Sequence, residues 1–159
     1  MDYRMDVRTK EQFEKDIAVG TAIEHDIIQK YKRYFEAIYH RELVVVDNGC
    51  DNSGGYLQDS QVTTKADFSL NGKLVEVKFN KHTMSVFRVK KSQLESYIRQ
   101  GAIMLWVNGN GTATPTFTLL KVSQMEAIIK DKVPFEFATW GNKLCYQIYA
   151  SEFVWSPLC

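Results

Sequence analysis

Thr64-Lys-Ala-Asp-Phe-Ser-Leu-Asn-Gly-Lys-Leu-Val-Glu-Val-Lys-Phe-Asn80 is the stretch that decides the fold of this chain. At its centre stands Asn71-Gly72, the dipeptide best suited to the two positive φ angles of a tight hairpin turn. With a two-residue loop there, Leu70 pairs with Lys73, Asp67 lies opposite Glu76, and Lys65 lies opposite Lys78. Side chains alternate along strands, so Lys65, Asp67 and Ser69 share a face with Leu74, Glu76 and Lys78. The other face carries Ala66, Phe68, Leu70, Val75, Val77 and Phe79 and reads as the core side. A slip of one residue would drive the charges into that core, so the register is well specified.

Two carboxylates facing one another across an antiparallel pair repel. A cation between them is the natural remedy, and oxygen ligands of this kind suit Mg²⁺ or Mn²⁺. A metal held there can polarise a phosphoryl oxygen and acidify its bound water. Lys78, two residues beyond Glu76 on the same face, is placed to orient or deprotonate that water or to neutralise charge building on a phosphate. A solvated hairpin face carries similar alternating charges; the opposed acidic pair with a lysine beside it is what distinguishes this one.

Outward from the hairpin, elements alternate. Thr9 to Tyr39 shows helical periodicity through Ile23, Ile27, Tyr31, Phe35 and Ile38, with Gly20 expected to break or kink it. Leu43 to Val46 reads as a strand, and Asn48 to Ser60 as a long glycine-rich loop. Val86 to Val89 is expected to extend the sheet. Lys91 to Gln100 reads as a helix capped by Ser92 and stopped by Gly101. Ala102 to Val107 has the unbroken apolar character of a strand buried on both faces. Thr116 to Val122 reads as a strand, Ser123 to Lys132 as a helix opened by a Ser123/Glu126 capping box, and Leu144 to Tyr149 as a last strand. The expectation is one α/β domain over residues 1–159, a mixed β-sheet flanked by helices.

Composition narrows the function class. The 159 residues carry a formal net charge of +1, with 45% hydrophobic and 25% charged residues, as in an ordinary globular domain. No apolar run is long enough for a membrane span, and the charged N-terminus does not resemble a signal peptide, so a cytoplasmic location is expected. Cys50, Cys145 and Cys159 show no paired spacing, and His25, His40 and His82 show no zinc pattern. From Val77 to Leu94 there is no acidic residue, while Lys78, Lys81, His82, Arg88, Lys90 and Lys91 fall there. Such a segment suits a phosphate backbone, with Lys81, His82, Arg88, Lys90 and Lys91 as its candidate contacts. Asp47, Asp51 and Asp59 are further acidic residues near the hairpin. Trp106, Trp140 and Trp155 read as core or interface.

Lys65-Ala66-Asp67 followed by Glu76-Val77-Lys78 resembles the signature of the PD-(D/E)XK nuclease superfamily, which includes many restriction endonucleases and the archaeal-type Holliday-junction resolvases. Gly20-Thr21-Ala22-Ile23-Glu24 resembles that family's first helix, and Lys91 to Tyr97 its helix after the hairpin. Ala66 stands where the motif's name has proline. The resemblance, over roughly Gly20 to Val107, implies a restriction-endonuclease-like core. It implies a divalent metal, Mg²⁺ or Mn²⁺, held by Asp67, Glu76, Val77 and Glu24, with Lys78 assisting the attacking water and Gln93 a further catalytic candidate. It implies a DNA endonuclease, a structure-specific enzyme of recombination or repair among the options, acting as a homodimer. The alternatives are a nucleic-acid-binding protein on the same fold that does not cut, and a protein-interaction module.

Overall fold

The computed structural model describes residues 10–48 and 66–158. A single helix, α1, runs over Lys10–Tyr39. Gly20 does not interrupt it. A glycine in place of alanine costs about 1 kcal/mol, too little to split a helix of 30 residues. The helix ends where His40 takes a left-handed conformation, φ 54°. Glu36 then fastens the exit, accepting bonds from Lys32 Nζ at 2.7 Å and from the Leu43 N–H at 2.9 Å.

Strands β1 (Val45–Asp47), β2 (Phe68–Leu70) and β3 (Lys73–Asn80) form an antiparallel meander. The register pairs Phe68 with Val75 and Leu70 with Lys73, as the Asn71-Gly72 turn requires. Both turn residues have positive φ, 50° and 82°, which matches the right-handed twist of the strands. Asn71 also stitches the turn to the approach of β1, its Oδ1 accepting from the Val44 N–H at 2.7 Å.

Strand β4 (Val86–Lys90) passes directly into helix α2 (Lys91–Gln100), and β5 (Ile103–Asn108) returns parallel to β3. Strand β6 (Thr116–Leu120), helix α3 (Val122–Asp131) and strands β7 (Phe135–Phe137), β8 (Lys143–Tyr149) and β9 (Ser156–Pro157) complete the described chain. The main sheet is mixed and six-stranded, in the order β1-β2-β3-β5-β6-β9. Strand β4 does not extend it. Instead β4 pairs with β8 in a second, antiparallel sheet, β4-β8-β7.

This second sheet changes the burial of the hairpin. One face of the main sheet packs Val75, Val77, Leu105 and Phe117 beneath Ile27, Ile28 and Tyr31 of α1. The opposite face, with Met104, Trp106 and Leu120, is covered by Leu94 and Tyr97 of α2, Met125 of α3, and Phe87, Val89, Tyr146 and Ile148 of the second sheet. Burying side chains of this size stabilises by about 1.5–3 kcal/mol each. Glu76 and Lys78 therefore lie on a covered face, with side chains 15% and 27% exposed. Strand β5, between β3 and β6, is buried on both faces, as its apolar run predicts.

The helix starts differ from the serine caps expected. In α2 the cap position belongs to Lys90, and in α3 to Lys121, both with extended backbone. Each helix follows its strand without a connecting loop, so the cap is set by where the strand stops. In α3, Gln124 Oε1 accepts from the Lys121 N–H at 2.8 Å. Gly101 closes α2 in the left-handed conformation, φ 67°, as expected. Among the described residues, no helix is long and apolar enough to cross a membrane.

Candidate active site

The hairpin register brings Asp67 and Glu76 together just where β2 begins. The Asp67 N–H donates to Glu76 Oε2 at 3.1 Å, and the Val77 N–H donates to Asp67 Oδ2 at 3.4 Å. The Asp67 carbonyl still accepts from the Asn48 N–H at 2.9 Å, holding the residue against β1. Because its own N–H serves a side chain, the regular ladder of β2 starts one residue later, at Phe68.

Three more side chains converge there. Helix α1 delivers Glu24, which shares a hydrogen bond with Asp67 and feels the charges of Glu76 and Lys78. Lys78 Nζ stands 3.7 Å from Glu76 Oε1. From α2, the Tyr97 hydroxyl donates to the same Glu76 oxygen at 3.0 Å, and Lys78 Nζ lies 5.6 Å from the centre of the Tyr97 ring. A second tie from α2 fixes the segment before Asp67. Gln100 Oε1 accepts from the buried Ala66 N–H at 2.7 Å, while Gln100 Nε2 donates to Ser96 Oγ at 3.0 Å.

Crowding of acids in a sheltered place has a clear electrostatic signature. Burial, followed by the charges of Glu76 and Glu24, pushes the Asp67 carboxyl up to about 8. Burial and then Glu76 raise Glu24 above its ordinary value, against the opposing pull of Asp67, Lys78 and His25. Burial and the Glu76 carboxylate hold the Tyr97 phenol far above its usual range, so it remains a proton donor. Desolvation disfavours the charged acid and a like charge disfavours it further.

Of the residues singled out from sequence, Glu24, Asp67, Glu76 and Lys78 are brought together. Val77 can contribute only its backbone, and its N–H is directed to Asp67. Gln93 is partly buried one helical turn before Tyr97, and its side chain makes no hydrogen bond among the described residues. The basic segment is divided. Lys81 and His82 are exposed in the turn after β3, which a polar node anchors: Asn80 Nδ2 donates to Asn108 Oδ1 at 2.6 Å, and Trp106 Nε1 to Asn80 Oδ1 at 3.0 Å. Arg88 and Lys90 lie on the outward face of the second sheet, and Lys91 pairs with Glu95 at 2.9 Å. Asp47 faces His25 Nε2 at 3.0 Å. Lys65, Asp51, Asp59 and most of the glycine-rich loop lie outside the described residues.

Tyr97 and Gln100 were not foreseen. Their signal is spacing: Gln93, Tyr97 and Gln100 recur at helical intervals on one stripe, and that stripe meets the strand bearing Glu76. Among the described residues, no three His, Cys, Asp or Glu side chains stand arranged as a metal-holding group. The carboxyls of Asp67 and Glu76 are turned onto backbone N–H groups and onto each other. Comparison with protein-family models, curated proteins and solved structures gives no match for this chain.

Proposed function

We propose that this chain is a divalent-metal-dependent endonuclease that hydrolyses phosphodiester bonds in DNA. The observation that carries the reading is the gathering of Asp67, Glu76 and Glu24 around Lys78, with Asp67 pushed up to about 8 by burial first and then by the charges of Glu76 and Glu24. Such a concentration of partly buried acid is unfavourable by itself, and carboxyls perturbed by burial and by one another beside a lysine are the arrangement that catalytic sites use. The order of elements supports it too: a helix, a three-stranded antiparallel meander, a crossover containing a helix, and a strand parallel to the third. That is consistent with the restriction-endonuclease-like core implied by the signature residues.

The chemistry of the donors suits a hard cation, toward which the carboxyls would turn from their present N–H partners. The set offers only oxygens, from Asp67, Glu76, Glu24 and the Val77 carbonyl, which suits Mg²⁺ or Mn²⁺ over softer metals. A cation bound by these groups would supply Lewis acidity toward a phosphoryl oxygen and a more acidic water. Lys78, a few ångströms from Glu76, orients the attacking water or offsets negative charge on the phosphate. Tyr97 keeps Glu76 in place by donating to one of its oxygens. Lys81 and His82, exposed in the turn after β3, are the candidates to meet the DNA backbone beside the site. As a homodimer, two such sites would address both strands of a duplex.

The test incubates the protein with branched, nicked, single-stranded and duplex DNA in Mg²⁺, in Mn²⁺ and in EDTA. Metal-dependent cleavage that disappears in Asp67→Ala and in Lys78→Ala is the expected result. The absence of cleavage on every substrate would sink the proposal, and binding without cutting would move the reading to a nuclease fold that only holds DNA.

A further inference from the structure

The two faces of the second sheet differ in character. Alternation along β4 turns Phe87 and Val89 into the core and Arg88 and Lys90 outward. The ladder places Gln147 beside Arg88, and Phe137 beside Lys143 on the same outward side. On the Arg88 side of these three strands no position carries a carboxylate; the exposed Glu136 lies on the opposite side. The Arg88 side therefore carries Lys90 and Lys143 as well, in a chain whose net charge is only +1.

Aromatic rings are interleaved with these cations. The Arg88 guanidinium carbon sits 4.9 Å from the centre of the Phe137 ring, and Lys90 Nζ sits 5.3 Å from the centre of Trp140. Phe137 and Trp140 meet edge to face at 4.9 Å. Arg88 is exposed and makes no ion pair among the described residues. Cys145, paired with Lys90 in the ladder, is buried, but burying a thiol does not call for cations laid across aromatic rings beside it. Positive groups alternating with partly exposed rings are instead what a polymer of phosphates and flat bases requires.

We propose that this outward face of the β4-β8-β7 sheet binds single-stranded DNA, with bases stacking on Trp140 and Phe137 and phosphates meeting Arg88, Lys90 and Lys143. The choice of DNA as the polymer rests on the nuclease reading; the stacking face does not. Lys90 leads without a loop into α2, whose Tyr97 donates to Glu76, so this face is joined to the carboxylate site through that helix. The inferred task is to hold an unpaired segment next to the DNA being cut.

The test is fluorescence anisotropy in EDTA, using a labelled oligothymidylate of about 15 nucleotides and an abasic strand of equal length. Wild type is expected to prefer the oligothymidylate. Trp140→Leu should weaken that binding by about 5- to 150-fold, the range for losing one base–aromatic stack. Arg88→Gln should weaken it and lower its salt dependence; this change at an exposed side chain keeps the test decisive if Trp140→Leu does not fold. Equal affinity for the abasic strand, or unchanged affinity in Arg88→Gln, overturns the proposal. So does a change in self-association without a change in DNA binding, which would make the face a contact between copies. Asp67→Ala is measured alongside and should keep the oligothymidylate affinity even if no cleavage is ever found; loss of binding there would place the bound strand elsewhere.

Discussion

Replacing Asp67 by asparagine should make the metal-free protein more stable at alkaline pH. Asparagine keeps an oxygen to accept the Val77 N–H and removes the charge that Glu24 and Glu76 oppose. The folded protein holds the Asp67 proton up to about 8, against 3.8 for the ordinary side chain. Between those values the folded state binds more protons than the unfolded one, so stability falls as pH rises. The penalty is absent below about pH 4 and complete above about pH 8. A lone carboxyl displaced this far would forfeit about 6 kcal/mol. Here the repulsion is shared with Glu24 and Glu76 and offset by Lys78, so the expected gain for Asp67→Asn is about 1–3 kcal/mol at pH 8.5. Urea denaturation in EDTA across pH 4 to 9 measures it. The two proteins should converge at the acid end, and millimolar Mg²⁺ should stabilise the wild type more than the variant. A variant less stable than wild type at pH 8.5, or a difference independent of pH, would refute the electrostatic reasoning.

Two further substitutions probe the ties from α2. Tyr97→Phe removes the donor to Glu76 while keeping the ring beneath Lys78; cleavage should slow by about tenfold, and unfolding free energy should drop by no more than about 2 kcal/mol, read by steady-state kinetics and denaturation. Gln100→Ala leaves the buried Ala66 N–H without its acceptor and should destabilise by about 1–3 kcal/mol, measured as a lower urea midpoint.

The hairpin was legible because its information is local. Asn71-Gly72 dictates the turn, alternation dictates the faces, and neither depends on distant parts of the chain. The meeting of Asp67 with Glu76 followed directly. Glu24 needed more, since its position depends on how α1 crosses the sheet, and it was the resemblance of Gly20 to Glu24 to a first helix of the nuclease superfamily that pointed to it. Tyr97 and Gln100 lay in a helix whose limits were read correctly, but which face of it met β3 depended on packing. The second sheet was out of reach for the same reason. Val86 pairs with Tyr149, far along the chain, and strand propensity names no partners. The serine caps failed because an N-cap is defined by backbone geometry, and here that geometry belongs to the last residue of each strand or its immediate successor.

Strand pairing also determines what the acid-free stretch from Val77 to Leu94 becomes. Read in one dimension it is a single basic segment; folded, it is two surfaces. The first part ends β3 and turns through Lys81 and His82, pinned by the Asn80–Asn108 node at the carboxyl ends of two parallel strands. The second part leaves the main sheet, pairs with β8, and presents Arg88 and Lys90 with Phe137 and Trp140. Had β4 joined the main sheet, its outward cations would have lacked those rings, which come from the distant segment around β7. One basic run thus supplies an exposed turn at the end of β3 and, on the second sheet, cations set against aromatic rings. The two should separate in experiment: salt should weaken both, whereas removing the bases from a bound strand should weaken only the second.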